Sequence, residues 1–328
     1  MPNLERLNHF YYLNKKTILD CGSPHAKFIQ LPQTSPQRES VKETLLKEPN
    51  IKKIIKKLSD PISGIHSFSR TPADYRVYGS FFWGLRFLAD IGLSGNELGI
   101  SEFTKRLQFQ QLEDGQFMVR YHRKKQQTIS LVCMTAHLTY CLICLGYKES
   151  NTVKTALNFI LTTQRKDGGW HCDRLKQLGE LNQAAPSCPA ANIHVIRALG
   201  QFGKKFIAFA EPATRQLVKI FNHNSILHCE FDSRQSLNFK KLRYPPHYTG
   251  LDILNVIHSL SFFPDLMVNS DFESLVNMVL NRWDGKNWLR SEKRIPEWST
   301  FDFGKKSGYS EWLTSLFLQA IERVYVKN

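Results

Sequence analysis

The chain has 328 residues and a formal charge of +15, from 44 Lys and Arg against 29 Asp and Glu. No apolar stretch approaches the roughly 20 uncharged residues of a membrane-spanning helix, and polar residues stand where a secretory signal would carry its apolar run, so a cytoplasmic protein, at most peripheral to a membrane, is expected. Seven cysteines are an odd number without the spacing of a small disulfide framework, which leaves thiols or ligands rather than bridges.

In chain order, a helix is expected around Leu4 to Leu19, then a linker rich in Pro, Gln and Ser from Gln30 to Ser40, so that residues 1–44 form an N-terminal arm and 45–328 the main body. Lys52, Lys53, Lys56 and Lys57 share a helix with Ile54, Ile55 and Leu58, which suits a solvated face or an anionic membrane surface. Leu58 to Gly64, with Asp60 and Pro61, reads as a helix end and turn. A more apolar helix follows from Val77 to Ile91, and Tyr75, Gly79, Phe82 and Arg86 share a face there. These aromatics are either core or the wall of a pocket for an apolar chain.

Next come the turn Gln111-Leu-Glu-Asp114-Gly115-Gln-Phe117, a basic cluster of Arg120, Arg123, Lys124 and Lys125, and an apolar helix from Ser130 to Leu145. On that helix Cys133, His137, Cys141 and Cys144 fall on one face, which serves packing or a metal. Val153, Leu157, Ile160 and Leu161 carry helical periodicity up to Gln164-Arg-Lys-Asp167-Gly168-Gly-Trp170, a second copy of Q-x-x-D-G-x-aromatic at a distance of 53 residues. Apolar helices are then expected from Ala190 to Phe202, Leu251 to Phe262 and Glu311 to Val324. A looser copy, Asn281-Arg-Trp-Asp284-Gly285-Lys-Asn-Trp288, precedes the last of them, and room remains for a degenerate copy near Phe221 to His228.

Self-similarity at such a period means stacked units. Each unit joins an amphipathic helix, stopped by an Asp-Gly or Gly-Gly pair, to a nearly all-apolar one, which suggests an outer and an inner ring. Five such hairpins predict an all-α protein closed into an α/α toroid, with no alternating strand pattern. The charge needs a ligand or a solvated face; the sequence holds no zinc finger, RRM or similar module, which argues against nucleic acid.

The Q-x-x-D-G-x-W/F turn between paired helices resembles the QW-type repeat of the terpenoid cyclase and protein prenyltransferase superfamily, whose members fold as α/α barrels. The resemblance covers about Leu45 to Val326. Asp167-Gly-Gly-Trp170-His-Cys172, Ser187-Cys188, Arg243-Tyr-Pro245, Asp252-Ile-Leu254 and Ser310-Glu-Trp312-Leu-Thr314 are similar to a microbial group labelled prenyltransferase- or squalene-cyclase-like. The resemblance implies an enzyme acting on an isoprenoid or lipid-like molecule with an anionic head. The D-x-D-D and D-D-x-x-D signatures of terpene cyclisation are absent, so neither cyclase mechanism carries over.

The prenyltransferase pattern is better matched. It implies that Arg174 and Lys176, after Gly168-Gly169-Trp170, meet a diphosphate, and that Cys188 and His247 occupy the positions of two zinc ligands. Pro186 stands where a third ligand is expected, and Cys172 or Asp173 can replace it, since zinc accepts thiolate, imidazole and carboxylate. Asp252, Asn255 and Ser259 share one helix face; Asp252 and Asn255 are the catalytic candidates if that face lines a cavity, while Asp252 alternatively hydrogen-bonds a neighbouring helix end. The competing class is a non-catalytic ligand-binding or scaffold protein on the same fold.

Overall fold

The computed structural model describes residues 4–59, 78–120, 128–171, 187–222, 241–246, 251–267 and 270–326. Among these the chain is helical, as its composition and periodicity predict, apart from turns and one short antiparallel ribbon. In that ribbon Met118 pairs with Ser130, Val119 with Ile129 and Arg120 with Thr128. The described residues are consistent with the expected all-α class; three residues per strand are too few to show an alternating pattern, although β-branched Val119, Thr128 and Ile129 favour the extended state. No described helix is long and apolar enough to cross a membrane.

The described residues fall into two compact units, one within Met1–Lys53, Val218–Ser225 and Leu237–Asn328, the other within Ile54–Leu217 and Ile226–Ser236. In the first, the Leu4–Cys21 helix buries Leu7, Phe10, Tyr11, Asn14 and Ile18, one stripe at helical spacing. Phe10 meets Phe317 edge-on at 5.3 Å and Trp283 at 5.1 Å. Lys15 Nζ reaches Glu322 at 3.1 Å. The first residues of the expected linker are fixed in place: Gln30 ends the Pro24–Gln30 helix and donates to Ser315 O at 2.9 Å. Arg38 opens the Arg38–Lys47 helix, with its guanidinium 3.8 Å from the Phe28 ring centroid and hydrogen bonds to Phe28 O and Leu31 O. The N-terminal residues thus share a unit with the C-terminal helix.

In the second unit, helices buried on every side alternate with helices buried on one. Phe81–Ile91 is buried throughout, as is Val132–Leu142 except at Cys133. Ser101–Gln108 buries only Phe103, Thr104 and Leu107, and Asn151–Thr162 buries one stripe from Val153 to Ile160. The helix expected from Ser130 starts at Val132, because Thr128–Ser130 is taken by the ribbon, and beyond Leu142 it widens into a π turn, Ile143–Tyr147. Cys144 lies in that wider turn, so the regular face expected of Cys133, His137, Cys141 and Cys144 is interrupted after Cys141.

The repeated turns have the same construction. Gly115, Gly168 and Gly285 have φ of 95°, 84° and 87°, the left-handed region that a glycine enters without strain. Each preceding carboxylate folds forward onto a backbone N–H: Gln116 N to Asp114 Oδ1 at 3.0 Å, Gly169 N to Asp167 Oδ1 at 3.2 Å, and Lys286 N to Asp284 Oδ1 at 3.0 Å. The chain then hooks onto the next buried helix, with Phe117 N donating to Thr135 Oγ1, Trp170 N to Asn192 Oδ1 and Leu289 N to Thr314 Oγ1. In the first two copies the glutamine clamps the turn to the next one-sided helix: Gln111 Nε2 donates to Gly115 O and Thr152 O, Gln164 Nε2 to Gly168 O and Phe209 O. The expected turn at Asp60 to Gly64 and the degenerate copy over 223–228 lie outside the described residues.

Candidate functional site

Three helices of the second unit, Phe81–Ile91, Val132–Leu142 and Pro189–Phe202, carry charged and imidazole side chains inside otherwise apolar sequence. Arg86 is 2% exposed and Arg197 1%, values at which a charge needs partners to persist. Arg86 Nε donates to both Asp90 oxygens, at 2.8 and 2.7 Å, one helical turn away. Tyr140 Oη donates to Asp90 Oδ1 at 2.7 Å. The Tyr140 ring meets both cations, its centroid 4.8 Å from Arg86 Cζ and 5.5 Å from Arg197 Cζ, distances at which the ring face attracts a guanidinium. Burial and then the Asp90 charge raise the Tyr140 pKa well above its ordinary value, so the phenol keeps the proton it donates.

A second row lies beside the first. The His137 ring is 5.6 Å from Trp83, 5.5 Å from Phe82 and 5.5 Å from His194. His137 Nε2 is 3.3 Å from Phe82 O. The rows are built by register, because His137 and Tyr140 on one helix and His194 and Arg197 on the next both stand three residues apart, which puts each pair on one face. Both imidazoles are neutral. Burial, then the His194 ring and Arg86, push His137 well below its usual range, and burial followed by Arg86 takes His194 down to about 3.

The structure brings together two of the residues singled out from sequence, Phe82 and Arg86, and adds His137 from the cysteine-rich helix. Asp90, Tyr140, His194 and Arg197 were missed, although each is a polar residue inside an apolar helix, which is itself a signal. Cys188 is buried at the N-cap of Pro189–Phe202, its N–H donating to Trp170 O at 2.7 Å. Cys172 and His247, its expected partners on zinc, lie outside the described residues, as do Tyr75, Arg174 and Lys176. Among the described residues no three His, Cys, Asp or Glu side chains form a metal-holding group.

Asp252 and Asn255 belong to the first unit. Asp252 is the N-cap of the Ile253–Leu260 helix, fully buried, and its carboxylate accepts from Arg243 Nε in an ion pair. Ser259 Oγ turns back to Asn255 O at 2.6 Å, so the hydroxyl of the expected polar stripe is used within its own helix. No family model matches the sequence, and no curated protein or solved structure is significantly similar to it.

Proposed function

We propose that the protein is a prenyltransferase- or terpene-cyclase-like enzyme that holds an isoprenoid or lipid-like substrate among its buried helices and uses zinc, with Cys188 among the candidate ligands. The observation that carries this reading is the repeated turn: in each described copy the Asp carboxylate accepts from the N–H of the residue after the glycine, and a later backbone N–H donates to a side chain of the next buried helix. In the second unit Phe82, Trp83 and Tyr140 offer an aromatic surface for an apolar chain, with Arg86 and Arg197 as cations beside it. Arg174 and Lys176 would take the diphosphate. Cys188 at a helix start would supply a thiolate ligand, because a thiol that coordinates zinc is deprotonated.

Purified protein incubated with farnesyl and geranylgeranyl diphosphate, with products read by mass spectrometry and zinc by elemental analysis, tests the proposal. Release of diphosphate with a new prenylated or cyclised product supports it. Unchanged substrate in protein with full zinc occupancy counts against it.

A second reading, a non-catalytic binding or scaffold protein, is favoured by one observation. Asp252, the leading catalytic candidate, is engaged with Arg243 in a fully buried ion pair. Asp252→Asn leaves any turnover intact if the pair is structural.

A further inference from the structure

The hydrogen-bonding capacity of the imidazole row specifies a ligand group. His137 Nε2 faces the Phe82 carbonyl, which only accepts, so that nitrogen carries the proton and Nδ1 of the neutral ring is left as a lone pair. His137 Nδ1, His194 Nδ1 and His194 Nε2 are buried and meet no hydrogen-bond partner among the described residues. His194 is 1% exposed and His137 2%. A neutral His194 has one N–H and one lone pair, so the row presents two acceptors and one donor within an aromatic wall. A buried polar atom left unmet costs about 1–3 kcal/mol, a cost that a fitting ligand group removes.

A carboxylate or phosphate only accepts, and would set its oxygens against two nitrogen lone pairs. An ammonium would donate, but Arg86 is close enough to depress both imidazole pKa values and repels a second cation. A hydroxyl both donates and accepts. We propose that His137 and His194 bind the hydroxyl group of an apolar alcohol, whose hydrocarbon lies against Phe82 and Trp83. This deepens the prenyl-transfer reading, and rests on it, by naming the class of the acceptor. One lone pair accepts a hydrogen bond from the hydroxyl and the His194 N–H donates to its oxygen, so the row positions the alcohol while burial and Arg86 keep the imidazoles neutral and the proton on oxygen.

The test is a titration of the full chain at pH 8 with farnesol, farnesene and farnesoic acid, three probes that share the hydrocarbon and differ in the oxygen group. Farnesol should bind about tenfold more tightly than farnesene, the worth of one hydrogen bond to a buried polar group, and farnesoic acid no better than farnesene. His194→Leu should erase the preference for the alcohol, and His194→Gln, which keeps a donor and an acceptor, should retain part of it. Equal binding of farnesol and farnesene, tightest binding of the acid, no binding by any of the three, or an alcohol preference that survives both His137→Leu and His194→Leu would overturn the proposal. Farnesol preference in a protein that leaves prenyl diphosphates untouched would sink the proposed reaction and leave the hydroxyl site standing.

Discussion

Gly168 combines a φ of 84° with a place where an added Cβ would lie 2.2 Å from Pro212 Cβ, and at Gly115, φ 95°, it would lie 2.3 Å from Thr155 O. Gly285 has φ 87° with nothing within 4 Å of that position. The three turns therefore separate backbone strain from crowding. Gly285→Ala should cost about 1 kcal/mol, the left-handed strain alone, while Gly115→Ala and Gly168→Ala should each cost about 3 kcal/mol or more, because overpacking is added. Urea denaturation of the three variants checks the order; equal losses would show that close approach is unimportant. In the polar core, Tyr140→Phe removes the 2.7 Å hydrogen bond to the buried Asp90 carboxylate and should cost about 1–3 kcal/mol by the same measurement.

At the scale of elements, helix starts carry their own caps. Ser150 Oγ accepts from Val153 N ahead of Asn151–Thr162, and Ser310 Oγ from Leu313 N ahead of Glu311–Ile321. Ser310→Ala should lower stability by about 1 kcal/mol, and replacement by Asp, which also caps, should restore most of it; a denaturation midpoint unchanged in Ser310→Ala would remove the cap from the account. The buried and one-sided helices and the Asp-Gly stops were legible in the sequence, because periodicity and φ requirements act locally. The ribbon at Met118–Arg120 and the π turn at Ile143–Tyr147 were not: the first depends on partners eight to twelve residues away, the second on a gradual widening that leaves no pattern. For the site, a shared helix face selected Phe82 and Arg86. It could not say that Tyr140 and Arg197 stack in the same row, since facing helices are matched only by tertiary packing. Asp252 shows the opposite case, a buried carboxylate legible as important whose partner, Arg243, lies nine positions earlier and outside the helix.

For the whole molecule, the neutral imidazoles set a pH dependence. The folded pKa values of His137 and His194 lie below the unfolded value of 6.5, the latter at about 3. As pH falls through 6.5 the unfolded chain takes up protons that the folded chain refuses, so stability falls toward acid, by up to about 1.4 kcal/mol per pH unit for each imidazole, and the loss for His194 is complete only below about 3. Urea midpoints should therefore drop between pH 7.5 and pH 5, and His194→Gln should flatten the slope; an identical slope in that variant would mean that His194 titrates normally. The formal charge of +15 adds a long-range field that favours anionic ligands and weakens with salt. The central claim, that the buried helices hold an isoprenoid, is tested most directly by isothermal titration of the full chain with farnesyl diphosphate. Saturable binding of one molecule per chain, weakened at least about tenfold when Arg174 and Lys176 are both replaced by Ala, is the result expected, and a titration without binding heat at any temperature tried, or one unaffected by that double substitution, would contradict it.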